Sequence, residues 1–229
     1  MKIHHAASLV AVASLGFAGC ATLGGGSTST AAFAGKDALK ARTAELTAKA
    51  SIASACSSKE PDKGGIIEIT GDAAGKLTAR VALWRGDPAI GKCIADKAAL
   101  ETVTPLAGPP VSTLWMFTPK DAPPPAQPDK SKVDEGTMQA SRNKADVGVQ
   151  ACAQRNLPPE FGSTIHISFY VFPGGKPFAA NVTDSNAKDG AYESCALEAV
   201  LAGDYPDYQF DGPVPVTLSF KTGNGGPIE

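Results

Sequence analysis

Four cysteines, placed at matching points of a strand–helix pattern that occurs twice, constrain this chain more than any other feature. Cys56 and Cys93 lie 37 positions apart, and Cys152 and Cys195 lie 43 apart. Between the second pair, Ile165, Ile167, Phe169 and Val171 alternate with Thr164, His166, Ser168 and Tyr170. That period of two is the pattern of a half-buried strand. Pro173, Gly174, Gly175 and Lys176 form a turn, and the run from Phe178 to Val182 returns as the second strand of a hairpin. Around Cys195 the period lengthens: Leu197, Val200 and Leu201 fall on one face of a helix, which Gly203 stops. Val214, Val216, Leu218 and Phe220 alternate again. The unit reads β-β-α-β behind a leading helix that carries Cys152.

The first half repeats these anchors in the same order. Gly75-Lys76 matches Gly175-Lys176, Val81 matches Val182, Cys93 matches Cys195, and Gly108-Pro109 matches Gly212-Pro213. Ala53 and Cys56 match Val149 and Cys152, although Lys49 stands where the second copy has Ala145. So many anchors in one order indicate an internal duplication. If each copy folds alone, the bonds are Cys56–Cys93 and Cys152–Cys195, each stapling a leading helix to a later one. Closing loops of this length contributes about 4 kcal/mol in the chain-entropy model. Four cysteines can also hold zinc, but there is no Cys-x-x-Cys pair. We therefore expect no metal.

Along the chain, residues 36–118 form the first repeat, 119–131 a proline-rich linker, 132–221 the second repeat and 222–229 a disordered tail. Alanine, leucine, lysine and glutamate dominate residues 36–57 and predict a helix there. The later helix of the first repeat, near Lys92 to Thr104, is mostly alanine on its apolar face and predicts a shallower core.

Residues 1–19 read as a targeting segment: Lys2 precedes an apolar run from Ala6 to Ala18 that is too short to span a bilayer. The run ends Gly16-Phe17-Ala18-Gly19-Cys20, which resembles the lipobox of bacterial lipoproteins. That resemblance implies cleavage before Cys20, lipid on its sulfur, and a protein held in the cell envelope. With Ala21 and Thr22 after the cysteine, it points to the outer membrane, facing the periplasm. The plainer alternative is a secretory signal with an incidental cysteine. Residues 20–35, rich in Gly, Ser, Thr and Ala, would be a flexible tether. The net charge of −2 over 229 residues gives no electrostatic reason to bind nucleic acid.

Little in the chain suggests chemistry. Beyond the leader the only histidine is His166, mid-strand, and no Gly-x-Ser-x-Gly elbow accompanies a serine. No phosphate-cradling loop occurs. Asp184, Asp189 and Glu193 read as charges at a helix start. Arg85-Gly86-Asp87 matches an adhesion tripeptide that short strings produce by chance. Tyr205, Tyr208 and Phe210 cluster before the last strand, as core rim or as a binding patch. No catalytic residue and no cofactor is expected.

The order of Cys152, Gly174-Gly175, Cys195, Tyr208-Gln209-Phe210, Gly212-Pro213 and the strand from Val214 to Phe220 resembles the TonB-like C-terminal domain, in its AgmX/PglI C-terminal version. The resemblance implies two tandem α+β domains, each with a three-stranded antiparallel sheet. It also implies a non-enzymatic scaffold or interaction module that binds a protein partner in the envelope. An envelope enzyme or enzyme inhibitor, and a purely structural lipoprotein, are the alternatives.

Overall fold

The computed structural model describes residues 31–50, 56, 64–117, 135–208 and 212–223. The first half contains α1 (Lys36–Ala50), β1 (Gly65–Gly71), β2 (Leu77–Trp84), α2 (Pro88–Ala98) and β3 (Val111–Phe117). The second contains α3 (Glu135–Asn156), β4 (Ser163–Phe172), β5 (Lys176–Ser185), α4 (Gly190–Leu201) and β6 (Val214–Thr222). The chain is α+β, with two three-stranded antiparallel sheets ordered β2-β1-β3 and β5-β4-β6. The hairpin's first strand is central in both.

The same local geometry recurs in each half. Both hairpins carry a one-residue bulge at the same place: Ile66 faces Leu83 while Ile67 faces Val81, and His166 faces Asp184 while Ile167 faces Val182. Each turn ends on a glycine in the left-handed region, Gly75 at φ +84° and Gly175 at φ +72°. Each of these carbonyls accepts a hydrogen bond from the segment after the later helix, from Val103 N–H at 2.9 Å and Tyr205 N–H at 3.0 Å. A Cβ on either glycine would overlap the carbonyl oxygen of that same residue. Only glycine combines this φ with so close an approach.

The alternation foreseen for β4 puts Ile165, Ile167, Phe169 and Val171 in a core with Val149, Tyr192, Ala196 and Val200 beneath α3 and α4. Gly148 lets α3 approach α4 closely, since a Cβ there would lie 2.8 Å from that of Ala199. In the first half, Leu46 of α1, absent from the sequence reading, is fully buried against Ile67, Ile69 and Leu77. Arg42, one turn before it and 3% exposed, donates to the carbonyls of Thr104 and Asp72 and so ties α1 to the hairpin turn.

α1 is described from Lys36 to Ala50 and Cys56 lies in a turn of 3-10 helix, while the rest of the helix expected to residue 57 lies outside the described residues. α2 starts at Pro88 and not near Lys92, because the side chain of Asp87 caps it by accepting the Ala89 N–H at 2.9 Å. The first core is the smaller of the two, as its alanine-rich helix predicts, with nine buried residues against eighteen among those described, and the partly buried indole of Trp84 packs against it. A Cβ on Gly91 would meet the ring at 2.7 Å, and one on Gly65 would overlap it. Phe117 packs edge-on to Trp84 at 5.7 Å, and Trp115 stands 3.8 Å from Phe117. In the second half the positions equivalent to Gly65, Trp84 and Gly91 hold Ile165, Ser185 and Glu193. Bulk on the hairpin of one copy is replaced by bulk on the central strand and helix of the other.

The two halves are docked. The Asn181 carboxamide accepts the Ser112 N–H at 2.8 Å and donates to the Ser112 carbonyl at 2.9 Å, bridging β5 to β3. A second bulge, found only in β5, places Ala179 at φ +51°, and its N–H donates to the buried carboxylate of Glu68 at 2.5 Å. Arg80 pairs with Glu68 and lies 4.1 Å over the Phe178 ring. Residues 31–35, read as tether, run between the halves. Phe33 packs against the second core, and Ala32 lies against Gly108. Replacing Asn181 by alanine leaves both Ser112 backbone groups without this partner. A loss of about 1–3 kcal/mol is expected, read as a lower urea midpoint for the full chain.

Candidate functional site

The residues singled out from the sequence separate into distinct places. Cys20 and Phe210 lie outside the described residues. Cys56 bonds Cys93 with Cα atoms 5.9 Å apart, and Cys152 bonds Cys195 at 5.7 Å. Cys152 sits in the last turn of α3 and is 2% exposed, whereas Cys195 on α4 is half-buried.

Tyr205 is core and not surface. It is 5% exposed, its ring lies 4.8 Å from Phe169, and its hydroxyl donates to the Val200 carbonyl at 3.1 Å. Burial pushes its phenol well above the ordinary range. Tyr208 is half-buried, with its hydroxyl 3.9 Å from the Met138 sulfur, and burial raises it as well. Tyr205 therefore belongs to the second core and Tyr208 to its rim.

The three acidic residues divide by role. Asp189 caps α4 by accepting the Tyr192 N–H at 2.8 Å. Asp184 on β5 pairs with Lys36 at 3.2 Å, and that hydrogen bond and charge hold its carboxyl below the usual range. Glu193 is not a surface charge at all: it is fully buried, and its Oε2 accepts the Phe33 N–H at 2.6 Å. Desolvation raises its pKa above the ordinary 4.5, against hydrogen bonds from Ser185 and Phe33 that lower it. A carboxyl raised in the folded state binds more protons there than in the unfolded chain, so its contribution to stability falls as pH rises above 4.5. Glu193→Gln keeps an acceptor for Phe33 and does not titrate. It is expected to flatten that fall, measured as the difference in urea midpoint between wild type and variant across pH 5 to 8.

His166 stands on the face of the second sheet away from the helices, flanked by Ser219 on β6 and by Asp184 on β5. Its Nδ1 is 2.7 Å from Ser219 Oγ. Ser219 orients the ring and Lys36 holds Asp184, so the carboxylate does not back the imidazole as it does in a catalytic triad. Among the described residues, no group of three or more His, Cys, Asp or Glu side chains could hold a metal ion, and no helix is long and apolar enough to cross a membrane.

The docked halves enclose a cleft of about 380 Å³ that the sequence did not disclose. One wall is the outer face of the first sheet, with Glu68, Thr70, Thr78 and Arg80; the other is α4, with Ser194, Leu197, Glu198 and Leu201. Leu201, expected in the core, is 38% exposed here, and Val81 on β2 is 37% exposed. Thr70 and Ser112 share a hydrogen bond of 2.7 Å at its base. Glu68 is already committed to Arg80 and Ala179, so the cleft offers apolar wall and backbone edge rather than converging reactive groups. The edge that opens on it is β2, which has a strand neighbour on one side only. β6 is the other outer edge, but Pro215 has no N–H to offer a partner there, and Gln150 of α3 donates to the Lys221 carbonyl at 2.8 Å.

Comparison of the chain with protein-family models, with curated proteins and with solved structures returns no match.

Proposed function

We propose that this chain is a non-enzymatic, lipid-anchored interaction module of the bacterial cell envelope. In this reading two TonB-like domains, tethered through lipid on Cys20, hold a protein partner. The observation that carries it is the edge of β2. That strand is paired on one side only, contains no proline, and borders a cleft walled by exposed Leu201. An extended segment of the partner would add to β2 by main-chain hydrogen bonds while its side chains meet α4. The polar, open setting of His166 and Ser219 supports a role without catalysis.

A photo-crosslinking residue placed at Thr78 or Val81 is expected to capture a discrete protein from solubilised envelope membranes. The same residue at Met116, exposed on β3 at the opposite end of the first sheet's order, is expected to capture none. Equal labelling at all three positions, or none at any, would contradict a partner at β2. Anchoring is tested separately by Cys20→Ser, which should shift the protein from the membrane to the soluble fraction.

A further inference from the structure

The second bridge lies beside a cation. Arg155, in the last turn of α3, is exposed, and its Nη2 lies 3.0 Å from Cys195 Sγ and 3.7 Å from Cys152 Sγ. A guanidinium beside both sulfurs stabilises whichever becomes a thiolate. Cys195 is half-buried and so reachable, while Cys152 is 2% exposed. A staple that only ties helices has no need of a cation over it. We propose that Cys152–Cys195 is an exchange-competent disulfide, reduced by an external dithiol with Arg155 as the positioning cation.

The exchange runs in two displacements. A thiolate of the dithiol attacks Cys195 Sγ; the S–S bond breaks and its electron pair leaves on Cys152 Sγ, beside Arg155. The reductant's second thiol, as thiolate, then attacks its own sulfur in the mixed disulfide and releases Cys195 Sγ, whose negative charge faces the guanidinium. The dithiol ends as a disulfide, having supplied two electrons and two protons. Both the first and the second leaving group are stabilised by Arg155, and a better leaving thiolate speeds exchange. Reduction also frees the end of α3 from α4.

The test is a redox titration of the intact chain in dithiothreitol buffers, with each bridge followed by alkylation and peptide mass spectrometry. Cys56–Cys93 is the reference within the same molecule. Cys152–Cys195 is expected to open reversibly in the wild type as the buffer becomes more reducing. Arg155→Gln should make its reduction about tenfold less favourable, equivalent to about 30 mV, and leave Cys56–Cys93 unmoved. Arg155→Lys should retain most of the wild-type behaviour. Thermal melts of the oxidised variants separate this from a loss of fold. The proposal is overturned if Arg155→Gln leaves the Cys152–Cys195 equilibrium unchanged, or moves Cys56–Cys93 by as much.

Discussion

Alanine at Gly175 is expected to destabilise the chain by about 3 kcal/mol, through positive φ and a steric collision together. The residue sits at φ +72°, and its new methyl would have to occupy the space of the Tyr205 carbonyl oxygen. Relief requires the turn to withdraw, which breaks the Tyr205 N–H to Gly175 carbonyl bond of 3.0 Å. Gly174 supplies the control inside the same turn. It lies at φ +82°, but nothing comes within 4 Å of a Cβ there, so alanine costs only the conformational penalty, about 1 kcal/mol. Urea unfolding of the two variants separates collision from backbone preference. Gly75→Ala should behave as Gly175→Ala does, because the Val103 carbonyl stands where that of Tyr205 stands in the other half.

The second large effect concerns the exchanged core. Gly65→Ile or Gly91→Glu, each importing the residue of the second half, is expected to lower stability by about 3 kcal/mol or more, since each drives atoms into the Trp84 ring. Gly91→Glu also brings in a carboxylate that, among the described residues, has no equivalent of the Phe33 N–H to receive it. Adding Trp84→Ser to either variant should recover part of the loss, even though Trp84→Ser alone strips the indole from the side of the core and destabilises by about 3 kcal/mol. Coupling of that sign, read from a double-mutant cycle in urea, is the signature of two solutions to one packing problem. Strictly additive losses would show that the three positions are unrelated.

The sequence disclosed what is periodic or repeated. β4 could be read from its alternation, both bridges from the duplication, and both turns from Gly75-Lys76 and Gly175-Lys176. What it hid depends on contacts between distant segments. Asn181 and Ser112 are 69 positions apart, and no period or spacing marks either as a docking residue. The exchange among Gly65, Trp84 and Gly91 became visible only once the hairpin bulge fixed which residue of β2 faces Gly65. Glu193 read as a helix-start charge because its partner, Phe33, belongs to a segment that composition marks as tether. Leu201 lies within the expected apolar face of α4, yet the cleft between the halves leaves it exposed. The start of α2 is legible in the sequence, since Asp87-Pro88 is a helix-start signal.

The central claim is one stapled unit used twice, and a peptide map of the intact chain without reductant tests it most directly. The account predicts two cross-linked peptides, one joining Cys56 to Cys93 and one joining Cys152 to Cys195. A bridge from Cys56 or Cys93 to Cys152 or Cys195, or four free thiols in the oxidised protein, would contradict it.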